Sequence, residues 1–430
     1  MSADKVPPAA GEAGHSSSGR RATVAIVAFV VIVAIAVLGR WYALQRAQPE
    51  RSNAKAALVH VTNGGDRGPG SLREALFIVA GATYPTTISI DVPQVRVETA
   101  LPAFVNGRGV RLIGQAAGVQ IDAQGLASGP VLDISGPDTS IEGINISHCP
   151  AAAILVRAAH FHLARSRIES CDVAVEVAEN ASDTLLERSQ FRGDRIGIRF
   201  AASGRNTAVA SNEFSDNKDA SVWAVRSAPD SRDAAINIHD NKFTGDRIGV
   251  VAGNVPVLIQ RNDFINAREA DVHLVGSGSV VRGNHISGGS SMGIVAENTN
   301  GAVIEDNELE GLGAYGVMVR GSSNTLVRAN KLHNCGYGLA FVLGDARSAS
   351  TAVENTIIEP KFNGIDVIGD SPILRRNQVL RPHAYALHVE DFQPPDGQKV
   401  RAQPFLDGND FGNSPVSRTG AAGAVPSHLR

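Results

Sequence analysis

From Ser166 onward, one arrangement of polar and apolar positions keeps returning: a polar residue, usually Asn, with an apolar residue two places later. It is read in "NEF", "NKF", "NDF", "NHI", "NEL", "NKL", "NTI" and "NQV", with Asn212, Asn241, Asn262, Asn284, Asn307, Asn330, Asn355 and Asn377 in the polar slot and Ser166 and Ser189 filling it earlier. Successive slots are 23, 23, 29, 21, 22, 23, 23, 25 and 22 residues apart. The apolar slot holds Ile168, Phe191, Phe214, Phe243, Phe264, Ile286, Leu309, Leu332, Ile357 and Val379. A second phrase, Gly followed by alternating apolar residues, recurs as "GIRF", "GVVA", "GIVA", "GVMV", "GLAF" and "GIDV". Short runs of period-two alternation between turns predict strands and exclude helical repeats. A unit of about 22 residues holds three short strands and three turns, one coil of a parallel β-helix, with equal positions stacked about 4.8 Å apart. An Asn at a turn tolerates a left-handed backbone, and its amide can bond the same amide in the next coil, so these residues read as scaffold.

Two segments stand outside the repeat. "ATVAIVAFVVIVAIAVLG", Ala22 to Gly39, carries no charge and is flanked by Arg20, Arg21 and Arg40, with Trp41 and Tyr42 where an interfacial belt would fall. It predicts an uncleaved transmembrane anchor, with residues 1–21 a disordered cytoplasmic tail and 40–57 a linker. A cleavable signal peptide is the competing reading, although its apolar region is usually shorter and no clean small-x-small site follows. The long C-terminal body is expected outside the cytoplasm, because long domains translocate largely regardless of charge. "VTNGGDRGPGSLREAL", Val61 to Leu76, is turn material followed by Ser71 as N-cap and Glu74 as its capping-box partner. The helix from Leu72 to about Ala80 would bury Leu72, Ala75, Leu76 and Val79 on one face. A solenoid needs such a lid to stay soluble and monomeric, so a monomer is expected.

Composition narrows the picture little further. The net charge of −3 gives no nucleic-acid footprint. The three cysteines share one column: Cys171 and Cys335 each lie five residues after a ladder slot, and Cys149 lies 22 residues before Cys171. Cys149 and Cys171 are therefore stacked neighbours, either a disulfide or a pair of buried thiols. No histidine shares the column, so neither a metal nor a cofactor is expected. Enlarged spacings put loops at Arg226 to Ala235 and Asp345 to Ser350, where binding surfaces tend to form.

The Asn ladder, the period, the opening "VTNGGDRGPGSLREAL" and "TISIDVPQVRVETALPAFVNGRGVRLIGQAAGVQIDAQG" resemble right-handed parallel β-helix proteins of the pectate-lyase-like superfamily. The resemblance covers about Leu58 to Phe411. It implies an all-β, single-chain parallel β-helix of roughly 12 to 14 coils over residues 58–412, with 413–430 a disordered tail. In such enzymes the outward residues of one strand column line a groove for an extended sugar chain. Here that column reads Arg199, Val251, His273, Val295, Met318, Ala340, Asp366 and His388. The carboxylate cluster of a calcium-dependent lyase is missing from it, and no paired "DD", "GHG" or "DPHD" occurs; the nearest echo is "RPHAYALHVED", Arg381 to Asp391.

Asp366 and His388, 22 residues apart, form the candidate catalytic pair, His388 as proton acceptor or donor and Asp366 as its orienter. Arg375, Arg376, His383, Glu390 and Asp391 are the candidate substrate-binding residues, with an Arg neutralising a uronate carboxylate. All are expected at an exposed surface. The duplicated "FRGDRIGI" and "FTGDRIGV" put Asp194, Arg195, Asp246 and Arg247 in equivalent turns two coils apart, read as turn and ladder ion pairs. The function expected is that of a single-pass inner-membrane protein, its body in the periplasm or outside the cell, that binds or modifies an envelope or exported polysaccharide as a lyase or C5 epimerase. The alternative is a non-catalytic scaffold of the envelope, and the sequence leaves open whether the protein is an enzyme.

Overall fold

The computed structural model describes residues 57–114, 118–201, 205–226, 236–276, 278–289, 292–344, 349–394 and 397–422. The expected anchor at 22–39 and the flanking 1–21 and 40–56 lie outside these residues, as do most of the two expected loops, at 227–235 and 345–348. Among the described residues no helix is long and apolar enough to cross a membrane.

The coil predicted from the period is the coil observed. Strands stack in register into three parallel sheets of 15, 13 and 13 strands. The first runs from Ala57–Val61 to Phe405–Asp407, the second from Gln94–Arg96 to Gln378–Leu380, and the third from Leu132–Ile134 to Val416–Ala422. The third sheet therefore continues into the stretch expected to be a disordered tail: Val416–Ala422 pairs with Leu387–Phe392. An unpaired edge at Leu387–Phe392 would leave backbone donors and acceptors open, and the chain supplies one more strand to cover them.

The Asn slots form one buried ladder. Each Oδ1 accepts both the backbone N–H and the Nδ2 of the preceding Asn, at 2.9 to 3.1 Å from Asn212 through Asn377. It ends one step later than the period suggested, on Asn409, whose Oδ1 is 2.9 Å from Asn377 Nδ2. The left-handed backbone falls on the residue before each Asn, not on the Asn: Arg261, Asp306, Ala329, Glu354 and Arg376 have φ between 47° and 59°. Two residues on, the apolar slots stack inside the coil, and Phe191, Phe214, Phe243 and Phe264 lie ring over ring at 5.0, 4.7 and 4.5 Å. These stacks explain the recurring glycines of the third sheet. A Cβ on Gly316 would sit 2.3 Å from Leu332, and one on Gly249 2.8 Å from the Phe264 ring, so the slot has no room for a side chain.

The helix is Leu72–Ala80, with the Ser71 side chain accepting from the Glu74 N–H and with Leu72, Ala75, Leu76 and Val79 buried. Glu74 Oε2 in turn accepts from the N–H of Gly70 at 2.6 Å, one residue earlier than in the usual capping box.

A second column runs through the turns after the second sheet. Cys149 and Cys171 are joined by a disulfide, and Cys335 is a free, buried thiol. Below the disulfide, Asp194 Oδ1 accepts the Cys171 N–H at 2.8 Å, Asn217 Oδ1 the Asp194 N–H at 3.1 Å, and Asp246 Oδ1 the Asn217 N–H at 2.9 Å. Asp194 and Asp246 are thus ladder members, as expected, but interior ones with no ion pair among the described residues; consecutive turn residues point opposite ways, and Arg195 and Arg247 point out and make the ion pairs. Burial pushes both carboxyl groups up, Asp246 to about 6.

Opposite substitutions test the two columns. Asn307→Ala removes the donor to Val281 O and Asn330 and the acceptor for Asn284, and should cost about 2 to 4 kcal/mol in denaturant unfolding. An unchanged midpoint would remove the ladder from the account of stability. Asp246→Asn keeps the Oδ1 acceptor without a charge. The folded pKa of Asp246 lies above its unfolded value of 3.8, so its stability contribution is complete below about pH 4 and is lost as pH rises to about 6. The Asn variant should be more stable at pH 7 by about 2 to 3 kcal/mol and show a flatter profile between those limits. A variant less stable than the parent at pH 7 would refute a buried, destabilising charge.

Candidate functional site

The outward face of the third sheet carries two adjoining sites on one column. The register pairs Glu176, Arg199, Trp223, Val251 and His273 in successive coils, then Val295, Met318, Ala340, Asp366 and His388. The predicted column is recovered with two additions, Glu176 before its start and Trp223 within it. The Trp223 strand, Ala220–Val225, carries Ser221 where Ile196–Phe200 and Ile248–Gly253 have glycine, so the glycine phrase passes over it.

Asp366 and His388 are brought together as expected. His388 Nδ1 lies 3.3 Å from Asp366 Oδ1, and the same oxygen accepts from Asn363 Nδ2 at 2.7 Å. The pair is not exposed as expected: side-chain exposure is 17% for His388 and 4% for Asp366. The next strand covers it, with Thr419 Oγ1 at 3.4 Å from His388 Nε2, and the column above it is apolar. Tyr315, Tyr337 and Phe362 stack alongside at 4.6 and 4.9 Å, and burial, reinforced by the Asp366 charge, raises both tyrosine hydroxyls. The hydrogen bond to Asp366 lifts the His388 imidazole above its ordinary range, with the charges of Asp366 and Glu390 adding to it. His388 Nδ1 is placed to donate to Asp366 Oδ1, and the shift is in the direction that favours the protonated ring, a proton donor that becomes an acceptor once deprotonated.

The remaining predicted residues divide. Glu390 stands two residues along the strand from His388 and acts on its charge. Arg375 ends a strand of the first sheet and Arg376 lies in the turn after it, around a corner of the coil: Arg375 faces Asp407 at 3.5 Å and Arg376 Glu354 at 2.7 Å. Neither joins the pair, because nine residues carry the chain past a turn to another face. His383 is exposed in the turn before the last coil, and Asp391 is occupied by Lys399 at 2.9 Å and the Ala402 N–H at 2.9 Å. Asn363, Tyr315 and Tyr337 were not singled out from the sequence, although each lies about one period from its neighbour.

The second site lies toward the N-terminal coils, beside the start of the predicted loop at Arg226. A groove of ≈ 630 Å³ opens over Trp223, with Ile196, Ile248, Val251 and Val275 as apolar floor and Asn254 at one side. Its wall is a file of alternating charge. Arg195 bridges Asp172 and Asp219 at 2.6 and 3.1 Å, and Arg247 bridges Glu269 and Asp219 at 2.7 and 3.8 Å. Across the floor, Arg199 pairs with Glu176 at 2.7 Å and His273 with Glu297 at 3.2 Å. Among the described residues no group of three or more acidic, His or Cys side chains is placed to hold a metal ion.

With this geometry in place, the comparisons agree on architecture. The model of the right handed beta helix region matches residues 229–379. Among solved structures, the catalytic unit of a thermostable GH87 α-1,3-glucanase from Streptomyces thermodiastaticus strain HF3-3 superposes with a TM-score of 0.53 at 13% identity, over 85% of this chain and 70% of that one. The catalytic domain of a GH87 α-1,3-glucanase in complex with tetrasaccharides gives 0.51 at 12% identity, over 85% and 71%. No curated protein matches the chain by sequence. The chain is a right-handed parallel β-helix protein.

Titration of the His388 ring by NMR should give a pKa above 6.5, and Asp366→Asn should lower it by removing an acceptor and a charge. The raised value also means that the pair's contribution to stability is present at low pH and fades as pH rises through the folded His388 pKa. An imidazole pKa unmoved by Asp366→Asn would dissolve the coupling.

Proposed function

We propose that this protein binds a polysaccharide along the outward face of its third sheet. The observation that carries the reading is the groove over Trp223: a half-buried indole on an apolar floor, rimmed by hydrogen-bonding groups held rigidly by a stacked sheet. An aromatic face accepts the C–H face of a sugar ring, and a few fixed polar groups set its orientation. The glucanase domain of the same fold, seen with tetrasaccharides, is in keeping with a saccharide ligand. Affinity electrophoresis through gels cast with a panel of glycans should show retardation by at least one, reduced by Trp223→Ala at unchanged melting temperature. Equal migration through every gel would leave the scaffold reading in possession.

A second reading, chemistry on a glycan lying at the Asp366 end of the same face and independent of the Trp223 groove, is favoured by the contact of Asp366 with His388. In it His388 transfers the proton, Asp366 and Asn363 position it, and the Tyr337 hydroxyl is the nearby second acid. A lyase or C5 epimerase would also need a cation for the uronate carboxylate, and with Arg375 and Arg376 around a corner of the coil that cation must come from elsewhere. Ultraviolet detection of unsaturated uronates, and NMR for epimerised ones, should find product lost in His388→Ala; absence of any product from parent and variant alike would retire the enzyme.

On this reading residues 22–39 hold the chain in the inner membrane, the helix Leu72–Ala80 closes the first coil, and a monomeric body works outside the cytoplasm. The Cys149–Cys171 disulfide suits an oxidising compartment. Alkaline carbonate extraction should leave the full chain in the membrane pellet and release a variant lacking 22–39. Release of the full chain would overturn the anchor.

A further inference from the structure

We infer that the ligand of the Trp223 groove is an uncharged glycan, not a polyuronate. The inference rests on the proposed saccharide role of that groove and specifies its chemistry. Three arginines line the site, and each is already engaged: Arg195 by Asp172 and Asp219, Arg199 by Glu176, Arg247 by Glu269 and Asp219. The histidine of the floor, His273, faces Glu297. Glu297 is also held by Arg320 at 3.6 Å, so the three lining guanidinium groups are shared among four carboxylates, Asp172, Glu176, Asp219 and Glu269, and the bonds from Asp172 and Asp219 raise the Arg195 pKa above even its ordinary value. The ion-paired set carries one negative charge in excess.

A uronate carboxylate entering this groove would meet a surplus of like charge within a Debye length of about 8 to 10 Å, and would have to displace an existing partner to reach any guanidinium. A neutral sugar meets no such barrier. Its hydroxyls can donate to the outer oxygens of Asp219 and Glu269 and accept from the guanidinium N–H groups while those ion pairs stay intact. Its C–H face can lie on Trp223, which already packs against apolar neighbours from both sides along the sheet. The spacing helps: Arg195, Asp219 and Arg247 occupy successive coils, so donors and acceptors repeat along the groove as hydroxyl groups repeat along a chain of hexoses.

The test uses Trp223 as its own reporter. The chain has two tryptophans, Trp41 and Trp223, so a Trp41→Phe protein reports the groove alone. Neutral gluco-, galacto- and manno-oligosaccharides, and oligogalacturonate and oligomannuronate as the charged arm, are titrated at low and at physiological salt. At least one neutral series should shift the emission, with a Kd that changes by less than about two-fold between the salts, and the uronates should bind at least about ten-fold more weakly. Uronate binding that is the tighter, and that weakens steeply with salt, would overturn the inference while leaving the groove as a saccharide site. Retardation of the parent by a glycan that neither shifts Trp223 emission nor responds to Trp223→Ala would instead overturn the groove. A double variant, Asp219→Asn with Glu269→Gln, frees Arg247 from both partners at an exposed position. It should gain salt-sensitive uronate binding of at least about ten-fold at unchanged melting temperature, and no gain would show that charge pairing does not set the preference.

Discussion

Everything in this molecule depends on each coil meeting the next in a single register. A strand in a parallel stack has its backbone donors and acceptors satisfied only by the coils on either side, and a slip of one residue would turn every core side chain outward. Backbone pairing alone is indifferent to such a slip. The Asn column supplies the discrimination, since a buried amide that accepts two bonds from the coil before it and donates to the coil after it has one position where it is satisfied. Its cost is carried by the residue in front of it, held in the left-handed region even when it is Arg, Glu or Ala. That the ladder survives a step of 32 residues to Asn409 shows how insertions are tolerated: the extra chain leaves the stack and returns to the same slot.

The ladder was legible because a polar residue that recurs at a fixed period inside an apolar stack must find its partners in the coils above and below it. The stacked Phe column was legible because aromatic residues repeat two places behind that Asn. The recurring glycine was legible as a mark but not as a cause; the cause is the neighbouring stack filling the space of its Cβ. Trp223 lies in a strand where Ser221 replaces the glycine, although His273 was legible in a strand with Asp271 in that place; Asn409 escaped because its interval is long, although "NDF" repeats the motif at Asn409 to Phe411. The burial of Asp194 and Asp246 was hidden for a different reason. A charged residue in a turn is usually solvated, and nothing in "GDRIG" tells which of the two adjacent charges points inward.

The separation of Arg375 and Arg376 from the pair has a general form. In a globular domain, residues nine apart are fair candidates for one site. On a solenoid that distance spans a corner, while residues one period apart touch. Asp366 with His388, Arg195 with Asp172 and Asp219, and Phe214 with Phe243 all obey the second rule.

The same geometry limits what an outward column can hold. Like charges one coil apart, about 4.8 Å, repel by about 3 to 4 kcal/mol at the effective dielectric of a protein surface, and the repulsion recurs at every coil. A charged file is therefore driven to alternate, as Asp172, Arg195, Asp219, Arg247 and Glu269 do, and an alternating file that begins and ends on a carboxylate offers no net positive charge to anything lying along it. A polyanion site on such a scaffold would need an interruption in the alternation. At the far end of the face, the column around Asp366 takes the other solution: Ala340 on one side and Ser417 beyond His388 leave one acid and one imidazole with no charged neighbour in line. Isolated in this way, the pair has its proton set by the contact between its two members and by Glu390 beside it, which is the condition an acid–base couple requires and a charge file cannot meet.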